Sequence, residues 1–267
     1  MILQKLEQQI VAANSMLCIG LDPQIEHLPD YIRNLEFPMF EFNRHIIDQT
    51  HSLVAAYKPN LAFYEVNGES GWHELRLTID YLHANHPDIV IIADAKRGDI
   101  DHTNERYATA IFDDLGCDAI TLNPYLGKQS LMPFLSRKDK ACIILCRTSN
   151  SSASEIQDLL VEGKPLWQHI AQKVTNEWND NENCMLVVGA TYPDEIRQVR
   201  DIAYDIPFLV PGIGAQGGDL ESSVRYGVNQ SKTGLLINVG RSIIYANSPA
   251  QVAQEIRDRI NLVRIAN

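Results

Sequence analysis

The sequence predicts an α/β fold, a single-domain (β/α)8 TIM barrel, from three observations. Eight short apolar runs recur along the 267 residues, and runs of this kind are typical of strands buried on both faces. Longer segments with helical spacing separate them. Nearly every run ends in polar, charged or glycine-rich residues, and the carboxyl ends of barrel strands are where such folds place their active sites. A doubly wound sheet is the alternative, but it seldom holds eight parallel strands without a domain break.

The predicted strands and helices alternate in a regular order along the chain. The strands are predicted at residues 16–21, 53–58, 89–94, 118–122, 141–147, 184–189, 206–210 and 235–239. The clearest helices between them are predicted at residues 69–85, 103–115, 164–179 and 192–204. Because no linker or low-complexity segment interrupts this order, we expect residues 1–267 to form one barrel domain.

The charge balance and the N-terminal segment restrict the classes of partner. Asp and Glu number 34 against 23 Lys and Arg, which gives a formal net charge of -11. This excess argues against nucleic acid or an anionic membrane surface as the main partner. A small anionic ligand stays possible, because a few cations in one pocket dominate at short range. Residues 1–10 have helical periodicity without the apolar core of a signal peptide, and no apolar stretch approaches the length of a membrane span.

The cysteines indicate neither a disulfide framework nor a zinc site. Their number is odd, CxxC spacing is absent, and four of the five lie in or beside apolar runs. The five are Cys18, Cys117, Cys142, Cys146 and Cys184. We therefore expect buried free thiols and a protein of the reducing cytoplasm.

The most informative feature of the chain is a charged segment that directly follows the third apolar run, at residues 94–100. Side chains at i and i+2 of a strand share a face, so Asp94 and Lys96 are predicted to project the same way. Asp99 follows in the loop, just past Gly98, where a glycine lets the chain turn. A solvated loop is the alternative interpretation of an isolated charge cluster. The polar residues at the other strand ends favour an active site instead.

The loops after the predicted seventh and eighth strands have the composition of a phosphate site. Residues 212–218 contain four glycines, whose backbone N–H groups can approach a phosphate closely. Gln216 adds a neutral donor, and Arg241 can donate a planar fork to two phosphate oxygens. The alternatives are a flexible surface loop and a surface ion pair. Because barrels of this type bind phosphate at these two loops, we predict a phosphorylated small molecule as the ligand.

These motifs match a known family. The pattern Asp94-x-Lys96-x-x-Asp99-Ile100, with Thr103 three residues further on, resembles the signature of orotidine 5′-phosphate decarboxylase. The other motifs of that family follow in the same order over nearly the whole chain: Leu21-Asp22-Pro23, Lys58, Thr148-Ser149-Asn150, residues 211–219, and Asn238-Val239-Gly240-Arg241. The chain resembles most the longer bacterial-type branch, type 2, from which Asp101 and Ser151-Ser152 depart.

The resemblance implies an activity and a set of catalytic residues. The activity is decarboxylation of orotidine 5′-phosphate to UMP, the last step of de novo pyrimidine nucleotide synthesis, with neither cofactor nor metal. Lys58, Asp94, Lys96 and Asp99 are implied to form an alternating charged array beside C6 of the pyrimidine. Lys96 is implied to protonate C6 after carbon dioxide leaves. A cation held between carboxylates stays protonated and stabilises the developing carbanion.

The resemblance also implies substrate contacts and an assembly. The implied contacts are Asp22, Lys58 and Thr103 at the ribose; Ser149 at the pyrimidine edge; Ile100 and Pro211 against the base or the departing carboxylate; and Gln216, Gly240 and Arg241 at the phosphate. The family is homodimeric, and the neighbouring chain supplies Asp99, Ile100 and Thr103 to each site. UMP is the implied product.

Two other classes of function are alternatives to this one. A metal-dependent sugar-phosphate lyase or synthase of the same barrel superfamily also carries an Asp-x-Lys-x-x-Asp motif. That class uses an acidic residue after the second strand to bind magnesium, where this chain has Lys58. A non-catalytic phosphate-binding barrel is the second alternative. A degenerate site of that kind is expected to lose the lysine or an aspartate, and Asp94, Lys96 and Asp99 are all present.

Overall fold

A computed structural model describes residues 1–214 and 217–266 of the chain, and its centre is a closed parallel barrel. The strands are β1 (Leu17–Gly20), β2 (Ala56–Lys58), β3 (Val90–Arg97), β4 (Ala119–Leu122), β5 (Ala141–Arg147), β6 (Cys184–Val188), β7 (Phe208–Val210) and β8 (Leu235–Val239). Each strand pairs with the next in sequence, and β8 closes the barrel on β1, with Leu17 opposite Ile237. The (β/α)8 prediction is confirmed, and each of its eight predicted strands is present.

Helices surround the barrel. The α-helices are α1 (Ile2–Ala12), α2 (Asp30–Arg33), α3 (Pro38–Thr50), α4 (Ala62–Glu65), α5 (Gly68–Asn85), α6 (Asp101–Ala108), α7 (Gly127–Leu135), α8 (Ser154–Gln157), α9 (Leu166–Lys173), α10 (Pro193–Ala203), α11 (Leu220–Gly227), α12 (Arg241–Ile244) and α13 (Pro249–Ala266). Two of the predicted helices continue past α6 and α9 as π-helical turns at Thr109–Asp114 and Val174–Trp178.

One predicted helix begins later than expected. The spacing predicts a helix from residue 164, but Lys164–Pro165 pairs antiparallel with Leu160–Val161 in a small hairpin, and α9 begins at Leu166. The hairpin turn consists of Glu162 and Gly163, which both have positive φ. Residues in the left-handed region end regular periodicity, and glycine adopts that region without steric cost.

The longer helices bury one face against the barrel. In α3 the buried residues Met39, Phe42, Ile46 and Ile47 follow the i, i+3, i+4 spacing of an amphipathic helix. Pro38 occupies the first turn of α3, where a missing N–H costs nothing. All five cysteines are free and buried, as predicted. Among the described residues, no helix combines the length and the apolar character needed to cross a membrane.

Candidate active site at the carboxyl ends of the strands

A pocket of about 510 Å³ opens at the carboxyl ends of the barrel strands. Eight of the residues predicted from the sequence line it: Asp22, Lys58, Asp94, Lys96, Ser149, Pro211, Gly240 and Arg241. They come from the ends of six different strands, because parallel strands deliver their C-terminal residues to one end of a closed barrel. The volume lies in the range of small-molecule sites. The fold therefore gathers residues that are far apart in the sequence into one cavity.

Asp94 lies at the centre of a chain of ion pairs in this pocket. Its Oδ2 accepts a hydrogen bond from Lys58 Nζ at 2.8 Å, and its Oδ1 accepts one from Lys96 Nζ at 2.6 Å. The side chains of Lys58 and Asp94 are 5% and 10% exposed, whereas that of Lys96 is 51% exposed. One lysine is therefore a buried counter-ion, and the other is open to a ligand.

Charge pairing sets the protonation of Lys58 and Asp94. Burial alone would raise the pKa of the Asp94 carboxyl, but the ammonium groups of Lys58 and Lys96 outweigh it and hold that pKa below its ordinary range. Burial would likewise lower the pKa of Lys58, but the carboxylates of Asp94 and Asp22 hold it above the ordinary range. Both members of the buried pair are therefore charged at neutral pH.

The backbone brings Lys96 to Asp94 by a different route from the one predicted. Regular alternation along β3 would place the two side chains on one face, but the pairing of β3 with β4 shifts register between Ala93 and Arg97. Lys96 itself has φ of 45°, in the left-handed region that few non-glycine residues adopt. The two side chains do meet, through a bulge at the end of β3 and not through regular alternation.

Asp22 follows β1 and lies beside the charged chain. Its Oδ1 accepts a hydrogen bond from the backbone N–H of Asn60 at 2.9 Å. Asn60 in turn forms an isolated parallel bridge with Asp94. Burial raises the pKa of Asp22, and the nearby Lys58 ammonium opposes that rise. The carboxylate is half-buried and lines the pocket, so it is available to a polar ligand group.

Ser149 lies on a turn that other side chains hold in place. The backbone N–H of Thr148 donates to Gln157 Oε1 at 2.9 Å, and Gln157 Nε2 donates back to Thr148 Oγ1 at 2.8 Å. Arg147, at the end of β5, is buried and donates to Glu195 Oε2 at 2.5 Å. Gly189 packs so closely that a Cβ there would lie 2.8 Å from the Ser149 side chain. The turn is therefore fixed on several sides.

The residues that depart from the type 2 pattern lie at the edges of this region. Asp101 is the first residue of α6, where a carboxylate interacts favourably with the helix dipole. Ser152 Oγ accepts a hydrogen bond from Asn150 Nδ2 at 3.0 Å, and Ser151–Ala153 form a 3-10 turn. Both departures are thus accommodated by local hydrogen bonding and electrostatics.

The loops after β7 and β8 form the opposite wall of the pocket. Gly212 and Gly214 have φ of 105° and 83°, which only glycine adopts easily. Gly240 precedes Arg241, whose exposed side chain lines the cavity. Gln216, predicted at the phosphate, lies outside the described residues. This wall offers backbone N–H groups and one arginine, which is donor chemistry suited to an anion.

Three predicted residues stand apart from the others. In the part of the chain that the structure describes, Asp99, Ile100 and Thr103 are not among the residues that line the pocket. Ile100 is 63% exposed. Asp99 Oδ1 accepts from the N–H of Ile100 at 2.7 Å, and Asn104 Nδ2 donates to the Asp99 carbonyl at 2.6 Å. The segment is ordered by its own hydrogen bonds, outside its own chain's cavity.

Several pocket residues were missed by the sequence analysis. Asn60 and Asn238 lie within two residues of Lys58 and Gly240. The available signals were the position of Asn60 just after the second apolar run and the polar character of Asn238 inside the last one. Thr121 lies inside β4 among apolar residues, so no charge or motif marks it. A polar residue within a buried strand, one position before the strand ends, was the signal that could have found it.

Across residues 1–214 and 217–266, no group of three or more His, Cys, Asp or Glu side chains is placed to hold a metal ion. Among the charged groups of the pocket, Lys58 and Lys96 are both paired with Asp94.

The fold and the pocket define the class of protein: a (β/α)8-barrel enzyme with a lysine–aspartate array at the ends of β2 and β3. A family model described as "Orotidine 5'-phosphate decarboxylase / HUMPS family" matches residues 15–256. This chain belongs to that family.

Individual relatives agree with the family match. The orotidine 5′-phosphate decarboxylase of Cellvibrio japonicus is 44% identical over 98% of this chain and 98% of its own. A solved structure of Leishmania donovani OMP decarboxylase is 39% identical, with a TM-score of 0.89 and 99% of both chains covered. The structure of Leishmania donovani UMP synthase has a TM-score of 0.91 at 40% identity, and this chain spans 57% of that longer protein.

Proposed function

We propose that this chain decarboxylates orotidine 5′-phosphate to UMP in the pocket at the carboxyl ends of the strands. The observation that carries the proposal is the Lys58–Asp94–Lys96 chain of ion pairs, with both lysines on one buried carboxylate. Family membership over residues 15–256 supports it. A metal-dependent sugar-phosphate lyase is disfavoured, because Lys58, a cation, stands where that class places an acidic metal ligand.

The charged chain suits the chemistry of this decarboxylation. When the bond between C6 and the carboxylate breaks, carbon dioxide leaves and an electron pair stays on C6 in an orbital that the ring does not delocalise. A fixed cation next to C6 stabilises this pair more than a mobile one in water. Lys96 Nζ then donates a proton to C6, which gives UMP, and the neutral amine regains its proton from solvent.

The two lysines have different tasks in this proposal. Lys58 is buried against Asp94 and stays charged, so it fixes the carboxylate beside the ring and bonds a ribose hydroxyl. Lys96 is half-exposed and is the proton donor. Asp94 keeps its negative charge near the substrate carboxylate, and the repulsion is relieved as carbon dioxide departs.

The remaining wall binds the parts of the substrate that do not react. Asp22 bonds the ribose, Ser149 bonds the pyrimidine edge, and Pro211 packs against the base. Gly240 and Arg241, with Gln216, hold the phosphate. Binding energy from the remote phosphate is then available to orient the ring over the charged array.

We also propose that the active protein is a homodimer in which each chain completes the other's site. Asp99, Ile100 and Thr103 serve the neighbouring pocket, with Asp99 joining the charged array and Thr103 lying near the ribose. The exposure of Ile100, with the exposed Tyr125 on the adjoining loop after β4, supports this arrangement. The buried free cysteines suit a reducing compartment, and we expect the protein to act in the cytoplasm.

The activity is tested by following the absorbance of orotidine 5′-phosphate with purified protein in the presence of EDTA. Loss of the substrate signal with formation of UMP is the expected result. Absence of turnover by a folded protein would contradict the proposal. Turnover that EDTA abolishes and added magnesium restores would support the metal-dependent class instead.

The shared site is tested by mixing two inactive variants, Lys96→Ala and Asp99→Ala. A hybrid dimer contains one pocket with both residues intact, so we expect activity to return after subunit exchange. The reference is each variant refolded alone. If mixed dimers form, as shown by mass spectrometry of differently tagged chains, and stay inactive, Asp99 does not act across a dimer interface.

A further inference from the structure

We propose that Thr121 is a positioning residue that holds Asp94 and Lys96 in the geometry needed for proton transfer. The inference rests on the proposed decarboxylase function. Thr121 lies in β4, is 1% exposed, and was marked by no motif. It contacts both members of the pair, one through its side chain and the other through its backbone.

The two hydrogen bonds of Thr121 fix the direction of its hydroxyl proton. The backbone N–H of Lys96 lies 2.9 Å from Thr121 Oγ1 and must be the donor of this hydrogen bond, because an amide N–H cannot accept one. The hydroxyl must then donate its single proton to Asp94 Oδ1, also at 2.9 Å. Both bonds are satisfied in one orientation, with the side chain of Thr121 as a buried link between the lysine backbone and the carboxylate.

The backbone of Lys96 needs this link. Lys96 has φ of 45°, and it lies within the register shift between β3 and β4. A non-glycine residue in this region is disfavoured unless its surroundings hold it there. From the neighbouring strand β4, the Thr121 hydroxyl accepts a hydrogen bond from the backbone N–H of Lys96. Thr121 thereby stabilises the bulge that directs the lysine side chain toward Asp94.

The carboxylate needs the same link. Asp94 Oδ2 is held by Lys58, and Oδ1 is shared by Lys96 and Thr121. Lys96 is half-exposed and loses its positive charge when it transfers its proton, so its hydrogen bond to Oδ1 is weakest at that moment. Thr121 keeps Oδ1 oriented throughout, because its hydroxyl is part of a buried strand. Without it, Oδ1 would keep only the hydrogen bond from Lys96, and the orientation of the carboxylate would depend on the two lysines alone.

Variants of Thr121 and of one matched residue test this inference. Thr121→Val removes the hydroxyl and keeps a similar side-chain volume, whereas Thr121→Ala removes both the hydroxyl and the volume. Thr121→Ser keeps the hydroxyl. The control is Thr78→Val in α5, since Thr78 is also buried, accepts from an amide N–H of Asn43 and donates to the carbonyl of Glu74. Each variant is measured for kcat, KM and UMP affinity, and the pKa of Asp94 is followed by carboxyl carbon NMR.

We expect kcat to fall about 10- to 100-fold in Thr121→Val and Thr121→Ala, the loss of one hydrogen bond to a charged group. KM and UMP affinity should change little, and the pKa of Asp94 should rise. Thr121→Ser should recover most of kcat, and Thr78→Val should keep it. If Thr121 had a purely structural role, its variants would lower the unfolding midpoint without lowering kcat at nearly constant KM.

Three results would overturn the inference. Thr121→Val and Thr121→Ala with the kcat of the original protein would show that the link is dispensable. A rise in KM and a matching loss of UMP affinity at constant kcat would make Thr121 a ligand contact. An unchanged Asp94 pKa in both variants would show that the hydroxyl does not bind the carboxylate. Failure of the proposed function is distinct, since the unaltered protein and Thr121→Ser would then both lack turnover.

Discussion

The two walls of the pocket are built in different ways. On the side of β2, β3 and β4, Lys58 and Asp94 are buried and each carboxylate oxygen accepts at least one hydrogen bond. On the side of the loops after β7 and β8, glycines adopt left-handed backbone conformations and Arg241 is exposed. In the proposed function, strands hold the groups whose relative position determines the chemistry, and loops carry the groups that bind the phosphate. We therefore expect changes in the first wall to alter kcat and changes in the second to alter substrate binding.

The walls also differ in the desolvation free energy of their charged groups. Burying Lys58 and Asp94 removes both from water, and each is tolerated only because the other is present. Arg241 keeps contact with solvent, so its charge carries little desolvation penalty. Substitutions in the wall formed by β2, β3 and β4, the strand wall, should therefore affect the stability of the fold. Substitutions in the wall formed by the loops after β7 and β8, the loop wall, should affect it little.

The largest expected effect comes from removing the proposed proton donor. Lys96→Ala should lower kcat by about 10⁴-fold or more, because it removes both the general acid and the cation that stabilises the carbanion. UMP affinity should stay within a few-fold, since the phosphate contacts are intact. Rapid-quench turnover and equilibrium UMP binding measure the two quantities. Turnover above a hundredth of the original rate would refute the assignment of Lys96.

A smaller effect, on stability, separates two carboxylates of the same pocket. Asp94→Asn leaves the buried Lys58 without its counter-ion and should lower the free energy of unfolding by about 3–5 kcal/mol at pH 7. Asp22→Asn is the matched control. It removes a carboxylate whose pKa is raised by burial, and its amide oxygen can still accept from Asn60, so stability should be kept or increased.

The pH dependence of this difference has a defined sign. The folded pKa of Asp94 lies below its unfolded value, so its stabilising contribution is present above the unfolded pKa and is lost as the pH falls through the folded one. Denaturant unfolding should therefore show the gap between the original protein and Asp94→Asn narrowing below about pH 4. A gap that is constant down to pH 3 would mean that Asp94 is not held ionised.

The smallest effect on the fold is expected on the loop wall. Arg241→Ala should raise KM about 10- to 100-fold through the loss of charged hydrogen bonds to phosphate, with the unfolding midpoint unchanged. Lys173→Ala, which removes an exposed cation from a surface pair with Glu177, is the control and should leave KM unaffected. If KM were unchanged in Arg241→Ala, the phosphate would not bind at this loop.

The difference between the walls also explains what the sequence could predict. The eight apolar runs sufficed for the barrel, since each buried strand is a local pattern. Lys58, Asp94 and Lys96 could be placed in one site because a barrel gathers strand ends. The bulge at Lys96 could not be predicted, because it depends on the pairing of β3 with β4, which is not a local property.

Residues that act through others were the hardest to predict. Thr121 sits in an apolar strand, and its hydroxyl has meaning only once Asp94 and Lys96 are beside it in space. Gln157 follows Thr148 by nine residues and folds back to it through two hydrogen bonds. Neither spacing corresponds to helical or strand periodicity, so nothing in the one-dimensional pattern linked them.

The division of labour between the walls is tested most directly by one measurement. Turnover numbers of Lys96→Ala and Arg241→Ala are compared at saturating orotidine 5′-phosphate in the presence of EDTA. We expect Arg241→Ala to recover nearly the original kcat once the substrate is saturating, while Lys96→Ala stays at background. Equal losses of kcat in the two variants, or recovery by Lys96→Ala, would contradict it.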